Sequence, residues 1–575
     1  MSRRSLPDCT NLSALVLLAL LPRPAAAGWP SSPATNVPLG VVAGRQGYPQ
    51  AAPDGHGGAI VAWDDGRGGP RDIYVQRVDA TGPRWTVNGV AICSATGEQY
   101  EPELVADGSG GVIVTWSDFR GAAFDIYAQR VDSTGAPKWT ANGVAICTAT
   151  GSQSHPAIVS DGAGGALIFW DDARVGNNRI YGQRVNVSGA PQWTANGVAL
   201  TNSLAGQTRP VAVSTGAGGA VVAWEDYRNG ELDYFAQRIL SNGTLDPAWP
   251  IGGKQVIALW VQEGLAMVAD GSGGALLTWA QESYPRNINA QHLLASGALD
   301  PAWPANGRVM ISDFIDQGSP AIAPDGAGGA IVSWDDQRAT GRDIYAKHVL
   351  ATGVLDAAWP DTGLAVCQAD QIQSSPRMVP DGSGGAIVTW EDQRNDAGDL
   401  YVQHVLATGA VDPAWPADGR ALSTAAERQL IPSIVGDGAG GAVVAWEDGR
   451  NHPEVSIDED DVYAQGVNAN GTLGDPPVGV SDNGRIALAL GQPSPNPSRT
   501  GAILVRFTLP TDAAATLALF DVAGRRVAAR EVGSLGPGTH AFDLAADGRP
   551  AAGIYFIRLQ QGPHTRSRRV VVLDR

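Results

Sequence analysis

The chain has 575 residues, of which 43% are hydrophobic and only 17% are charged, so it can bury a core and is not a disordered tail. Its formal charge of -18 repels nucleic acid and anionic lipid, which excludes both as natural partners. The 73 glycines and 38 prolines favour a turn-rich all-β protein.

Residues 1–27 have the pattern of a secretory signal peptide. Arg3 and Arg4 form a charged start, residues 12–21 are apolar, and the alanines at 25–27 offer a small-residue cleavage site. The apolar stretch is too short to cross a bilayer, so no transmembrane segment is expected. We therefore predict a protein that is secreted or held at the outer cell surface, and expect it to be a monomer.

One sequence unit repeats through most of the chain. The segment 54–63 (DGHGGAIVAW) returns with small changes seven times, and the tryptophans that end each copy are 53 to 56 residues apart. These tryptophans are Trp63, Trp116, Trp170, Trp224, Trp279, Trp334, Trp390 and Trp446. Each copy carries four strand signals separated by turn residues such as Asp54-Gly55. The pattern predicts an eight-bladed β-propeller over residues 28–480.

The last repeat is incomplete, which indicates how the ring closes. Repeats one to seven have a second tryptophan before their last strand, at Trp85, Trp139, Trp193, Trp249, Trp303, Trp359 and Trp415, and repeat eight has none. Trp29 and the strand-like residues 39–43 precede repeat one. We predict that this N-terminal strand completes the last blade and removes an open edge. The alternative is that residues 478–480 supply the missing strand.

An acidic motif follows most repeat tryptophans and could be mistaken for a catalytic site. In repeat one it is Asp64, Asp65 and Arg67, with Asp72 before the next strand. Paired carboxylates with an arginine could form a glycosidase site, or the arginines an anion-binding cluster. A group present in nearly every blade more often serves the fold, so we interpret the motif as an Asp–Arg–Asp clasp. Repeat five, with Gln281, departs from it.

No other residues suggest a site. The acidic loop 458–461 has oxygen ligands for Ca²⁺ but lacks the spacing of a calcium loop, which favours a solvated loop. His292, His348 and His404 recur on one strand, which favours packing. Cys93, Cys147 and Cys367 occupy equivalent positions on different blades, so we interpret them as buried hydrophobes and not as disulfide partners. We predict no catalytic residue, no cofactor-binding residue, no metal ligand and no cofactor.

The C-terminal part differs in composition. Residues 481–496 form a linker that ends in a proline-rich stretch, and six short strands are predicted over residues 497–575. Ordered motifs lie at 496–497 (NP), 507–510 (FTLP), 519–525 (LFDVAGR), 553–556 (GIYF) and 568–572 (RRVVV). They resemble the C-terminal sorting domain of bacterial proteins exported by type IX secretion, and equally the FlgD-type immunoglobulin-like domain. The resemblance implies a secretion or anchoring module that meets the secretion machinery, and the propeller resembles the repeats of secreted bacterial proteins.

These observations favour a non-enzymatic surface scaffold that binds an extracellular glycan or protein. The alternative is a propeller enzyme, a glycosidase or lyase, that acts on extracellular polysaccharide. A set of acidic and aromatic residues at one rim that does not recur between blades would favour the enzyme. The sequence alone reveals no such set.

Overall fold

The computed structural model describes residues 29–573, except 258–261, 282–284, 312–314, 339–340, 397, 453–458, 475–488, 492, 494–497, 499–502, 510–513, 533–537, 546–549 and 562–563. The predicted signal peptide and most of the predicted linker lie outside the described residues. The described residues contain strands and turns and no α-helix, and they include no helix long and apolar enough to cross a membrane.

Eight antiparallel sheets form the blades of a β-propeller, as predicted. In chain order, the first strands are β1 (Val37–Gly40), β2 (Gln46–Pro53), β3 (Ala59–Asp65), β4 (Asp72–Asp79), β5 (Gly82–Pro83), β6 (Val90–Cys93), β7 (Gln99–Ala106), β8 (Val112–Asp118), β9 (Asp125–Val131), β10 (Val144–Cys147), β11 (Gln153–Ser160), β12 (Ala166–Asp172), β13 (Arg179–Val185), β14 (Val198–Ala199), β15 (Gln207–Ser214), β16 (Ala220–Asp226), β17 (Asp233–Ile239) and β18 (Lys254–Ile257). The next are β19 (Gln262–Ala269), β20 (Ala275–Gln281), β21 (Asn287–Leu293), β22 (Arg308–Val309), β23 (Gln317–Pro324), β24 (Ala330–Asp336), β25 (Asp343–Val349), β26 (Leu364–Cys367), β27 (Gln373–Pro380), β28 (Ala386–Asp392), β29 (Asp399–Val405), β30 (Arg420–Ser423), β31 (Gln429–Gly436), β32 (Ala442–Asp448) and β33 (Asp461–Val467).

Each blade has its first strand innermost. The innermost strands β2, β7, β11, β15, β19, β23, β27 and β31 contact one another in sequence, and β31 contacts β2, so the ring is closed. The second strand of each blade is almost wholly buried, because neighbouring blades cover both faces. This explains why these strands are continuously apolar and do not alternate with polar residues.

A clasp around seven of the eight repeat tryptophans holds the second and third strands of the blade together. In blade one, Asp65 accepts hydrogen bonds from Trp63 Nε1 at 2.8 Å and from Arg67 Nε at 2.8 Å, and the guanidinium lies 3.8 Å from the centre of the Tyr74 ring. The same contacts are found in six further blades. Among the described ion pairs, none joins Arg67 to Asp72. The clasp is therefore Trp–Asp–Arg–aromatic, and the predicted third member, Asp72, is not part of it.

At seven of the eight blade junctions, a second tryptophan joins one blade to the next. Trp85 Nε1 donates to the Ser133 carbonyl of blade two at 3.3 Å, and its ring covers Gly135, where a Cβ would lie 2.8 Å from the ring. A left-handed glycine is required there by both its φ of 90° and this close approach. Six further blade junctions repeat the contact, with Nε1 to carbonyl distances of 3.0 to 3.3 Å.

The closing junction uses the N-terminal segment. β1 pairs antiparallel with β33, with Val37 opposite Ala464, so the chain's first strand is the outer strand of its last blade. This strand begins two residues before the predicted 39–43. Trp29 does not repeat the junction contact, because a Cβ added to Gly82, the equivalent of Gly135, would meet no described atom within 4 Å. The Trp29 ring instead lies against Gly466 of β33, where a Cβ would lie 2.6 Å from it.

The C-terminal part forms two sheets. Their strands are β34 (Ala489–Leu490), β35 (Leu504–Leu509), β36 (Ala515–Asp521), β37 (Arg526–Glu531), β38 (Gly538–Asp543), β39 (Gly553–Gln561) and β40 (His564–Val572). The sheet β34-β35-β38 and the sheet β37-β36-β39-β40 share a core that includes Val505, Phe507, Leu517, Ile557 and Val570. All six predicted strands are found, whereas the immunoglobulin-like assignment and the domain boundaries stay predictions.

The contact between the Trp29 ring and Gly466 predicts that two substitutions, each destabilising alone, partly compensate each other when combined. Trp29→Ala should destabilise the chain by about 3 kcal/mol, since it empties a buried ring site. Gly466→Arg, which introduces the residue found at the equivalent Arg77, should also destabilise, because its side chain meets the Trp29 ring. In the double variant the arginine no longer meets the ring and should not destabilise the chain further. Urea unfolding would show a loss of unfolding free energy smaller than the sum of the losses in the two single variants. Strict additivity of the two effects would contradict the contact, and Val87→Ala, at an exposed site, is the control.

Candidate functional site

One position in every innermost strand has a left-handed backbone. Each of these strands begins with Gln, any residue and then a third residue, which is followed by proline in seven blades. The third residues have φ between 49° and 55°, or 70° at the one glycine. They are Tyr48, Glu101, His155, Arg209, Gly264, Ser319, Ser375 and Ile431. We call these eight residues the mouth ring, because all of them line cavities at one end of the central channel.

The strand geometry explains why this conformation recurs. The register of every innermost strand shifts at this position, as between Gly47 and Gln50 in β2. A left-handed non-glycine residue costs of order 1–3 kcal/mol and persists only where its surroundings hold it. Carboxylates supply part of that support. Glu447 of blade eight accepts the Tyr48 N–H at 2.6 Å, and Glu391 of blade seven accepts the Ile431 N–H at 2.9 Å.

These carboxylates belong to the acidic motif that follows most repeat tryptophans, which we interpreted from the sequence as a single clasp. Successive residues of a strand point to opposite faces, so the two acidic residues after each tryptophan separate. The second, such as Asp65, joins the clasp, and the first lies beneath the mouth ring. Asp64 is the first residue in blade one, and it pairs with Arg71 at 3.6 Å. Burial raises the pKa of Asp64 to about 7, although Arg71 opposes this.

The two halves of the mouth ring have side chains of different chemical types. Blades one to four contribute Tyr48, Glu101, His155 and Arg209, all aromatic or ionisable. Blades five to eight contribute one glycine, two serines and one isoleucine at the same repeat position. A site of this kind cannot serve the fold in every blade, because its side chains differ from blade to blade.

His155 is the centre of the ionisable half. Its Nδ1 lies 2.9 Å from Asp171 Oδ1, and its Nε2 lies 3.6 Å from Glu101 Oε1. Hydrogen bonding to Asp171 raises the pKa of His155, although partial burial opposes this. Burial also raises the pKa of Asp171, because desolvation outweighs the attraction of the imidazole. The two groups therefore hold a proton on His155 beyond the pH at which a free imidazole would lose it.

Glu101 and Glu103 lie two residues apart on β7 and line the same cavity of about 260 Å³, with Tyr48, His155 and Arg209. Glu101 Oε2 lies 3.2 Å from both the His155 N–H and the Ser117 hydroxyl, which donate to it. Glu103 is half-buried in the channel wall, and desolvation, assisted by the charge of Glu101, raises its pKa to about 8. Glu103 is therefore protonated at neutral pH.

An aromatic pocket of about 420 Å³ adjoins this cavity and shares Tyr48, Glu101 and His155 with it. Its wall includes Tyr100 and Phe124, whose ring centres are 5.8 Å apart. Arg71 lies over the Tyr100 ring at 4.8 Å. Aromatic faces beside a cation and acidic groups are what a site for a polar ring-shaped ligand requires.

The residues singled out from sequence lie elsewhere or have paired roles. In the acidic loop 458–461, Asp460 pairs with Arg428 at 3.0 Å, Glu459 pairs with His452 at 3.1 Å, and Asp458 lies outside the described residues. Over the described parts of the chain, no group of three or more His, Cys, Asp or Glu side chains is arranged to hold a metal ion. Cys93, Cys147 and Cys367 are buried and unpaired, and burial raises the pKa of each thiol to about 12.

The recurring histidines do more than pack. His348 lies between Asp356 at 2.9 Å and Asp325 at 3.0 Å, one carboxylate at each ring nitrogen. His292 and His404 have the same arrangement in the adjacent blades. In blades one to four an arginine takes this place, and in blades one to three it donates to an aspartate, as Arg77 does to Asp54 at 2.8 Å. These histidines therefore bridge strands and are no part of the mouth ring.

No family model matches the sequence, and the search of curated proteins finds no relative. Among solved structures, the chain is similar to an ulvan lyase described as a new family of polysaccharide lyase, with 10% identity, a TM-score of 0.41, and coverage of 76% of this chain and 96% of that one. It is similar to the polysaccharide lyase Uly1, with 11% identity, a TM-score of 0.39, and coverage of 67% and 94%. It is also similar to an endo-arabinase from Bacteroides thetaiotaomicron, with 11% identity, a TM-score of 0.25, and coverage of 44% and 93%.

The expectation that the chain is not an enzyme must be corrected. That expectation depended on finding no asymmetric set of acidic and aromatic residues at one rim. The mouth ring and its neighbours Tyr100 and Phe124 are such a set. The sequence does contain a signal for this site. The third residue of each innermost strand varies in chemical class between blades, whereas the glutamine two residues before it is the same in every blade.

The His155–Asp171 pair makes a prediction about protonation. Asp171→Asn should lower the pKa of His155, because the hydrogen-bonded carboxylate that stabilises the imidazolium is gone. Since the folded pKa of His155 is raised, its contribution to stability is complete below the unfolded value of about 6.5 and is lost as pH rises through the folded pKa. NMR of histidine-labelled protein across pH would follow the imidazole signal. An unchanged His155 titration in the variant would contradict the pairing, and Asp79→Asn, at the end of β4, is the control.

Proposed function

We propose that the chain cleaves glycosidic bonds of an extracellular polysaccharide at the ionisable half of the mouth ring. The observation that carries the proposal is the juxtaposition of Glu101, Glu103 and His155 in one cavity beside an aromatic pocket. Tyr48, Tyr100 and Phe124 offer faces against which sugar rings can pack, and Arg71 offers donors for their oxygens.

The two glutamates suit the two proton transfers of hydrolysis. Glu103, protonated at neutral pH, gives its proton to the glycosidic oxygen as the bond from that oxygen to the anomeric carbon breaks. Water adds to the anomeric carbon, and Glu101 takes the proton that this water releases. His155 donates its backbone N–H to Glu101 and places its Nε2 3.6 Å from Glu101 Oε1, so it positions the base.

The test is turnover of a polysaccharide panel by the mature chain, measured as new reducing ends. Glu103→Gln should lower the rate by about 100-fold or more, since general acid catalysis contributes at least that much. The wild-type rate should fall above pH about 8, where Glu103 loses its proton. Glu231→Gln, at an exposed loop position, is the matched control and should have no effect.

Two results would overturn the proposal. Binding of a polymer without any new reducing ends would remove the catalytic role altogether. A product that absorbs as an unsaturated uronate would indicate elimination, and then water would not add to the anomeric carbon and Glu101 would not act as the base that activates it.

We also propose that the chain is exported through its signal peptide and that residues 497–575 direct secretion or surface attachment. The ordered motifs of the C-terminal strands support this, together with the arginines at 566, 568 and 569 on β40. Deleting residues 497–575 should leave the propeller folded but shift it from the cell surface or medium to the periplasm of a type IX-competent host. Cell fractionation with antibody against the propeller measures this, and an unchanged distribution would reject the role.

A further inference from the structure

The central channel has a second cavity, on the side away from the glutamates. It has a volume of about 570 Å³ and is walled by the innermost strands of blades five to eight and of blade one. Gln50 lines both this cavity and the cavity of Glu101 and Glu103, so the two cavities adjoin. The wall is mostly small or apolar, with Met267, Ile322 and Ile434 among its members.

Arg377 is the charged residue of this wall. It lies two residues after the mouth ring position in β27, where the other seven blades have Gln50, Glu103, Ala157, Val211, Ala266, Ala321 and Ser433. Its side chain is exposed to the channel. The same repeat position thus places one guanidinium in a ring of otherwise uncharged residues, apart from Glu103.

No carboxylate in the described parts of the chain is paired with this guanidinium. Arg377 Nη1 donates to the carbonyl of Pro376, its own neighbour, at 3.1 Å, and no described carboxylate forms an ion pair with it. The arginines of the clasps differ, since each has an aspartate oxygen within 3 Å. The carboxylate that acts on Arg377 at longer range, Glu391, accepts the Ile431 N–H through its Oε1. Arg377 therefore has donors in its planar fork that none of the described carboxylates accepts from.

The neighbouring polar groups add donors around the same space. Ser319, Ser375 and Ser433 line the cavity with Arg377. The Ser433 oxygen accepts the Ala51 N–H at 3.0 Å, which leaves its hydroxyl proton free to be donated. A guanidinium with hydroxyl donors beside it is suited to a planar or tetrahedral oxyanion, which accepts several hydrogen bonds at once.

We propose that this cavity binds an oxyanion, a carboxylate or a sulfate, through Arg377 and the serine hydroxyls. The site goes beyond the proposed cleavage site, because it contains none of Glu101, Glu103 and His155. The anion has two potential sources, a small free anion or an acidic group carried by a polysaccharide that reaches across the channel.

Inorganic sulfate is the direct probe, with calorimetric titration of the mature chain at constant ionic strength maintained with chloride. We expect saturable binding of one sulfate per chain, and an affinity at least tenfold lower in Arg377→Gln. Arg377→Lys should retain part of the affinity, since it keeps the charge and loses the fork. Arg84→Gln, at an exposed position outside the channel, should bind as the wild type does.

The outcomes separate this site from the cleavage site. Glu103→Gln should bind sulfate normally, so absence of polysaccharide cleavage would leave the sulfate result intact. Competition by dextran sulfate or polygalacturonate, but not by dextran, would assign the anion to the polymer, and binding without such competition would assign it to a small anion. Absence of saturable sulfate binding, or equal binding by a folded Arg377→Gln chain, would overturn the proposal.

Discussion

Eight blades can close into a ring only if each meets its neighbour in nearly the same way, and the outer tryptophan supplies that contact. At seven junctions its indole N–H reaches a carbonyl of the following blade and its ring covers a left-handed glycine. Each blade must also have nearly the same shape. For this reason the clasp of Trp63, Asp65 and Arg67 recurs in other blades with small variation in its distances. At the eighth junction the chain's own first strand replaces the missing outer strand, and Trp29 uses a different glycine.

The period of a β-strand separates the structural residues from the functional ones. Asp64 and Asp65 are adjacent in sequence but point to opposite faces, so one faces the mouth ring and the other joins the clasp. Blade five shows the consequence of losing the clasp. Gln281 stands where the aspartate would be, and Trp279 Nε1 is buried without a hydrogen-bond partner in the described structure. The ring tolerates one such blade because the others and the junction contacts remain.

The sequence predicted the fold well, because the repeated tryptophans and turn residues carry the information that a propeller needs. The missing eighth outer tryptophan also pointed to the N-terminal strand, but the contact of Trp29 was not predicted, since the identity of a residue does not reveal which glycine it will cover. The candidate site was missed for a physical reason. His155 and Asp171 are 16 residues apart on different strands, and only the shift in the innermost strand turns the histidine toward that carboxylate. The strand shift leaves no sequence signal apart from a glutamine and a proline around a variable residue.

The mouth ring can vary because its backbone is held by groups other than its own side chains. A left-handed conformation costs least for glycine, yet only one of the eight mouth ring residues, Gly264, is a glycine. A β-branched residue, Ile431, has this conformation in blade eight. In blades one and eight the N–H of the left-handed residue is bonded to a carboxylate of the preceding blade, and in blade three to the ring residue Glu101. These bonds support the conformation from outside, so the side chain at the position is free to change from blade to blade. The fold thus provides eight equivalent positions around a channel in which chemistry can differ, and in this chain the ionisable ones are gathered in the first four blades.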